Sequence, residues 1–181
     1  MKIDQRSMLD FIKKIELFNG FNDEEFNVLI EQIQVKTFAP DELVFTENST
    51  RQGIYLIYQG EVELFKTTPF GSEKHLAVFG KFDFLGEGSM MEDSPHSTSA
   101  RAVKETVALI VDTDFIAHHG SIAVKVLSHV ARVISRRLRQ TATRVVNSAA
   151  QYESGRTRME HDLLGDREVP HEYYYGVQTL R

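Results

Sequence analysis

Phe84-Leu85-Gly86-Glu87-Gly88-Ser89-Met90-Met91-Glu92-Asp93-Ser94-Pro95-His96-Ser97-Thr98-Ser99-Ala100-Arg101-Ala102 is the stretch on which the reading of this chain turns. A glycine turn leads to an acid, then to a short run of small residues, a loop closed by proline, and hydroxyl side chains that open a strand. Free backbone N–H groups at the start of a short helix hold an anion, and a neighbouring carboxylate accepts a hydrogen bond from a sugar hydroxyl. The order therefore describes a cradle for a phosphate joined to a sugar. Gly86, Gly88 and Ser89 offer N–H groups, Glu87 offers the acceptor, and Ser97 and Thr98 offer hydroxyls just past the loop. The blander alternatives are a surface charge for Glu87 and local capping of backbone groups by Ser97 and Thr98.

The flanking sequence has two textures. Between residues 7 and 34, Leu9, Phe11, Ile12, Ile15 and Leu17, then Phe26, Val28, Leu29, Ile30 and Ile33, recur at helical spacing. Asn22 or Asp23 followed by Glu24 and Glu25 supplies a cap and first-turn acids. After Pro40 the pattern becomes short apolar or alternating runs at 44–45, 54–58, 62–65, 76–79 and 107–111, separated by turns such as Gln59-Gly60-Glu61 and Phe70-Gly71-Ser72. Several strands at this spacing predict an antiparallel barrel or jelly roll, a mainly β fold with flanking helices. A metal-binding variant of such a barrel needs His and Glu clustered at strand spacing, and His75, His96, His118 and His119 are too scattered for that.

In this order and spacing, Leu17-Phe18, the phrase Tyr55-Leu56-Ile57-Tyr58-Gln59-Gly60-Glu61-Val62-Glu63-Leu64, Gly71 and residues 84–102 resemble the cyclic nucleotide-binding domains of the catabolite activator type, over residues 15–145. The resemblance implies a double-stranded β-helix, a small-molecule cyclic nucleotide ligand (cAMP or cGMP) or a similar anionic ligand with no other cofactor, and a phosphate-binding cassette at Gly86, Glu87, Gly88, Ser89, His96, Ser97 and Thr98. It also exposes two departures. His96 stands where the family carries a phosphate-pairing arginine, and Gly88 stands where the family carries an apolar anchor. A bidentate arginine contact to phosphate is a strong charge-assisted one, worth about 1.5–3 kcal/mol. An imidazole in its place is expected to weaken binding by roughly one to two orders of magnitude, and to favour binding at pH 5.5 over pH 8 if protonation supplies the charge. A domain that has lost its ligand and serves for dimerisation or docking is the alternative.

From Ile122 the chain reads as one long helix, with Leu127, Val130, Ile134, Leu138, Thr141, Val145 and Ala149 stepping by three and four residues along one stripe. Such a stripe asks for a partner, and the resemblance makes it a homodimer seam. The phrase Arg136-Arg137-Leu138-Arg139-Gln140-Thr141 is similar to the part of the family's helix that offers a threonine to the purine, so Thr141 is a candidate base contact, and equally a seam residue. Residues 1–120 hold 11 Lys and Arg against 20 Asp and Glu, whereas residues 121–150 hold six bases and no acid. That acidic neighbour, and the 31 residues after Ala150, argue against DNA as a partner. Cysteine is absent and no apolar run reaches membrane-spanning length, which reads as a cytoplasmic protein with no membrane partner.

The tail departs from that pattern. Residues 158–181, with Asp162-Leu163-Leu164-Gly165, Arg167-Glu168-Val169-Pro170, Tyr174-Tyr175-Gly176 and Thr179-Leu180-Arg181, resemble the amino-terminal start of the aspartate ammonia-lyase and class II fumarase family. The lyase family's catalytic loop is missing, so no catalytic residue and no enzyme activity is expected in these 181 residues. The expected organisation is a nucleotide-binding barrel at 1–120, a lid or dimerisation helix at 121–152, and a poorly ordered, truncated lyase start at 153–181. A regulatory module controlling a fused aspartase-type enzyme is the function this combination implies.

Overall fold

The first helix, α1 (Gln5–Ile12), starts where the Asp4 carboxylate accepts hydrogen bonds from the Ser7 N–H and hydroxyl at 2.9 and 2.6 Å. The structure is a computed structural model that describes residues 3–91, 94–152, 157–162 and 165–170. After a 3-10 turn at Glu16–Phe18, α2 (Asp23–Glu31) begins on a capping box. Asn22 accepts from the Glu25 N–H at 2.8 Å, and Glu25 accepts from the Asn22 N–H at 2.9 Å. The cap is thus Asn22 rather than Asp23.

Eight strands follow, β1 (Gln34–Phe38), β2 (Leu43–Phe45), β3 (Ile54–Gln59), β4 (Val62–Thr67), β5 (Glu73–Phe79), β6 (Phe84–Leu85), β7 (Ser99–Ala102) and β8 (Thr106–Val111). They form two antiparallel four-stranded sheets, in the orders β1-β8-β3-β6 and β2-β7-β4-β5. This is the jelly-roll architecture with flanking helices expected from the strand spacing. The five apolar runs became β2, β3, β4, β5 and β8. β1 escaped notice because only Phe38 of its five residues is buried, and β6 because it is two residues long.

The interior lies between the sheets, where Tyr55, Ile57 and Ala108 of one meet Val62, Ala100 and Ala102 of the other. Side chains alternate across a strand, so Ile54 and Leu56 point the other way, yet both are fully buried. The sheet containing β3 is therefore covered on both faces. Buried helical side chains such as Ile12, Leu29 and Ile116 supply the apolar cover that the second face needs.

Backbone packs against backbone at Gly53 and Gly86, as it also does at Gly60. A methyl group on Gly53 would stand 2.3 Å from the Val111 carbonyl oxygen, and one on Gly86 would stand 2.6 Å from the Gly53 carbonyl oxygen. Gly86 also adopts φ +85°, a left-handed conformation that costs other residues free energy. A short helix α3 (Thr113–His118), capped by Asp112, leads into α4 (Gly120–Tyr152), a helix of 33 residues.

The chain divides into two compact units, Met1–Arg132 and Val133–Arg181. The first includes the opening turns of α4, whose Ile122, Val126 and Val130 are buried. Lys125 donates to both oxygens of Glu25 at 2.9 and 2.7 Å, and His129 Nε2 lies 2.9 Å from the Asn19 carbonyl. The seven-residue stripe is therefore divided. Val130 belongs to the buried face, while Leu127, Ile134 and Leu138 are exposed, because the two sets occupy adjacent arcs of the helix. The second unit holds the rest of α4 and an antiparallel hairpin, β9 (Thr157–Asp162) with β10 (Gly165–Pro170), in which Gly165 faces Asp162 and Pro170 faces Thr157. No strand was anticipated there. Residues 153–156, 163–164 and 171–181 of the lyase-like tail lie outside the described residues.

Lys125 holds the Glu25 carboxyl below the ordinary value of 4.5, its hydrogen bond being the largest cause. A depressed folded value contributes stability that is complete above the unfolded value and lost as the pH falls through the folded one. Lys125→Met should cost about 1 kcal/mol at pH 7. In urea melts, the gap between variant and wild type should close as the pH is lowered past 4. Gly86→Ala should cost more, about 2 kcal/mol from conformational strain together with the close approach, and a melting temperature equal to wild type would contradict this packing.

Candidate functional site

The cassette is built by three segments from different parts of the chain. The left-handed turn at Gly86 ends β6 and opens directly into a 3-10 turn, Glu87–Met90. Residues 94–98 run without regular structure into β7. The third segment is the loop 46–53 between β2 and β3, which the sequence did not single out. It is tied to the second by two backbone hydrogen bonds, Asn48 N–H to the His96 carbonyl at 2.8 Å and His96 N–H to the Ser49 carbonyl at 3.0 Å. The Glu47 N–H adds a bond to the Ser99 hydroxyl at 2.9 Å.

The structure thus brings Gly86, Glu87, Gly88 and Ser89 onto one turn, with Glu87 and Gly88 half-buried. Ser97 is exposed and Thr98 half-buried just before β7, and the Ser97 carbonyl accepts from Lys66 at 3.2 Å. Thr141 lies on α4 in the second unit, where its hydroxyl donates to the Arg137 carbonyl at 3.0 Å.

His96 does not behave as a surface imidazole. It is 5% exposed, its ring lies flat on Phe45 with centroids 3.8 Å apart and planes 7° apart, and Phe45 in turn leans on Tyr55 at 5.5 Å. No described residue hydrogen-bonds its Nε2. Burial first, and then the charge of Arg51, hold it below the ordinary histidine value of 6.5. A group buried in this way stays neutral. Both effects work against the expected gain in binding at pH 5.5, because they oppose the protonation on which that gain depends.

Arg51 is the residue that sequence reasoning missed. A methyl group on Gly88 would lie 3.1 Å from each terminal nitrogen of the Arg51 guanidinium and 3.2 Å from its central carbon. The glycine that departs from the family pattern is thus the one against which Arg51 packs. The unexplained Gly88 was the available signal, but nothing in the sequence said which distant side chain filled the space. Arg101, by contrast, is committed elsewhere. It pairs with Glu63 at 2.5 Å and Glu73 at 3.0 Å and lies 4.8 Å from the Phe65 ring centre, and the same hydrogen bond to Glu63 raises its own affinity for protons.

Among the described residues no three His, Cys, Asp or Glu side chains are placed to hold a metal ion, and no helix is long and apolar enough to cross a membrane. The arrangement offers backbone N–H groups, a carboxylate and a guanidinium around one turn. Those are groups for a sugar phosphate.

Comparison with known proteins agrees with that chemistry. Residues 35–118 match the family model described as the cyclic nucleotide-binding domain. The cyclic AMP receptor protein of Thermus thermophilus is 29% identical over 154 residues, covering 84% of this chain and 70% of the receptor. A CRP-like cAMP-activated global transcriptional regulator of Mycobacterium tuberculosis is 26% identical over 175 residues, covering 86% of this chain and 78% of the regulator. The crystal structure of the Thermus thermophilus catabolite activator protein superimposes with a TM-score of 0.65 at 27% identity, covering 74% of this chain and 63% of that one.

These relatives overturn the exclusion of DNA as a partner, since such transcriptional regulators act on DNA. The exclusion rested on an acidic barrel cancelling a basic helix. Charges are screened over about 10 Å at 0.1 M salt, whereas α4, with 33 residues, is about 50 Å long. Its other support, the number of residues after the helix, says nothing about a longer protein. The same relatives do not bear on the lyase-like tail. In sequence and in fold, the segment 35–118 is similar to the cyclic nucleotide-binding domains of regulators of the catabolite activator type.

Proposed function

We propose that this chain is a regulatory sensor of cAMP or cGMP, with the nucleotide's phosphate and ribose held at residues 86–98. The observation that carries the reading is the left-handed turn at Gly86 opening into the Glu87–Met90 turn. It presents successive N–H groups and a carboxylate within the part of the chain that matches the nucleotide-binding family. The phosphodiester accepts from the N–H groups of Gly88 and Ser89, and the ribose 2′-hydroxyl donates to Glu87. Ser97 and Thr98 offer hydroxyls at the far end of the loop. Calorimetric titration with cAMP and with cGMP tests this directly. Saturable heat with at least one is expected, and its absence with both at millimolar nucleotide would replace this reading with that of a domain without a ligand. Glu87→Ala should weaken binding at least tenfold, the equivalent of about 1.4 kcal/mol.

The sensor acts as a homodimer through α4. Leu127, Ile134 and Leu138 follow one another by seven and four residues and are exposed, Leu138 at 68%, so a second copy of the helix would bury them. Sedimentation should give twice the monomer mass, and the triple change of Leu127, Ile134 and Leu138 to Ser should give the monomer. An unaltered monomer in both cases would sink the dimer. The resemblance of residues 158–181 supports an aspartase-type lyase as the regulated activity. The full-length gene product should then release ammonia from aspartate at a rate that changes with cyclic nucleotide.

A further inference from the structure

A cyclic phosphodiester carries one permanent negative charge, and the cassette strand supplies no partner of opposite sign. Arg101, the base on β7, is paired with Glu63 and Glu73. Lys66 is paired with Glu47 at 2.9 Å. His96, stacked on Phe45 and more than nine-tenths buried, is held neutral by its surroundings. The side chain that does bring positive charge to the turn comes from another segment. Arg51 sits on the loop that the Asn48, Ser49 and Glu47 hydrogen bonds fasten to His96 and Ser99. A methyl group on Gly88 would be nearly equidistant from Nη1, Nη2 and Cζ, at 3.1, 3.1 and 3.2 Å, which puts Gly88 over the flat face of the guanidinium.

Resting on the reading of this site as a nucleotide pocket, we propose that Arg51, from outside the cassette, is the cation that pairs with the cyclic phosphodiester, with His96 Nε2 as a second donor beside it. Three observations then fall together around Arg51. Gly88 lacks a side chain because the guanidinium occupies that space. His96 is held neutral first by its burial and then by the charge of Arg51 beside it. Its Nε2, without a hydrogen-bond partner among the described residues, is a second, independent group that a ligand oxygen satisfies. A planar guanidinium grips two phosphate oxygens at once, which an imidazole cannot do.

The test uses the whole chain, titrated with cAMP and with cGMP, and follows Arg51→Met, Arg51→Lys, Gly88→Ala and the double variant Arg51→Met/Gly88→Ala. Arg51→Met should lose at least tenfold in affinity, with Arg51→Lys intermediate because it keeps the charge and loses the fork. Gly88→Ala keeps its N–H but displaces the guanidinium, so it should lose several-fold in the wild-type background and nothing further when Arg51 is already Met. That non-additivity is the signature of contact between the two positions, and general destabilisation would not produce it. Should Arg51→Met fail to fold, Arg51→Lys and Gly88→Ala decide, both weakening the binding if Arg51 is the partner and neither doing so if it is not. Wild-type affinity in Arg51→Met or in both of these variants, or strictly additive losses, would overturn the assignment while leaving the nucleotide pocket standing. If the wild type binds neither nucleotide, the pocket reading fails and this assignment fails with it.

Discussion

Close backbone contact through Gly53 and Gly86 is the constraint on which the site depends. The carbonyl of Val111 lies where a Gly53 side chain would be, and the carbonyl of Gly53 lies where a Gly86 side chain would be. Three neighbouring strands, β8, β3 and β6, are thereby held edge to edge at the point where β6 must turn away. Gly86 makes that turn with φ +85°, which leads the next residues, Glu87 and Gly88, into the 3-10 turn. The same closeness delivers the loop 46–53, and with it Arg51, to the cassette. Packing that brings a conformationally free residue against backbone is common where a chain must approach a ligand closely.

The electrostatics follow from that arrangement. The Arg51 guanidinium packs against the turn at Gly88, and the imidazole of His96 is kept neutral by burial and by the charge of Arg51. The other bases near β7 are bound to carboxylates on the outer surface, where Arg101 joins Glu63 and Glu73. A net negative chain thus places the guanidinium of Arg51 beside its candidate turn. Screening confines most charge effects to about 10 Å, so this local sign matters more for an anionic ligand than the total charge does.

The helix α4 changes character along its length. Its opening turns belong to the barrel's core through Ile122, Val126 and Val130, and are locked by Lys125 on Glu25 and His129 on Asn19. Past Val133 the apolar positions Ile134 and Leu138 are exposed instead. A helix fixed to a sensing domain at its start and carrying an uncovered apolar stripe farther on is suited to passing a change in that domain to a partner surface.

The sequence by itself determined the class of the fold and pointed to the candidate cassette, because both are written in local terms. Short alternating runs between glycine turns specify antiparallel strands, and Gly86-Glu87 followed by Pro95 and hydroxyl residues marks the candidate turn within a single stretch. It also showed that His96 and Gly88 were out of place. What it could not supply was the reason, since that lies in Arg51, 37 positions before Gly88 in the chain. Only tertiary structure decides which distant side chain fills a vacated space, and only burial decides whether an imidazole is charged. For the same reason the stripe on α4 was legible as apolar but not as two faces. Periodicity gives the angle of each side chain about the helix axis, whereas the packing of Val130 into its own barrel, with Leu127 left outside, depends on where the rest of the chain has folded.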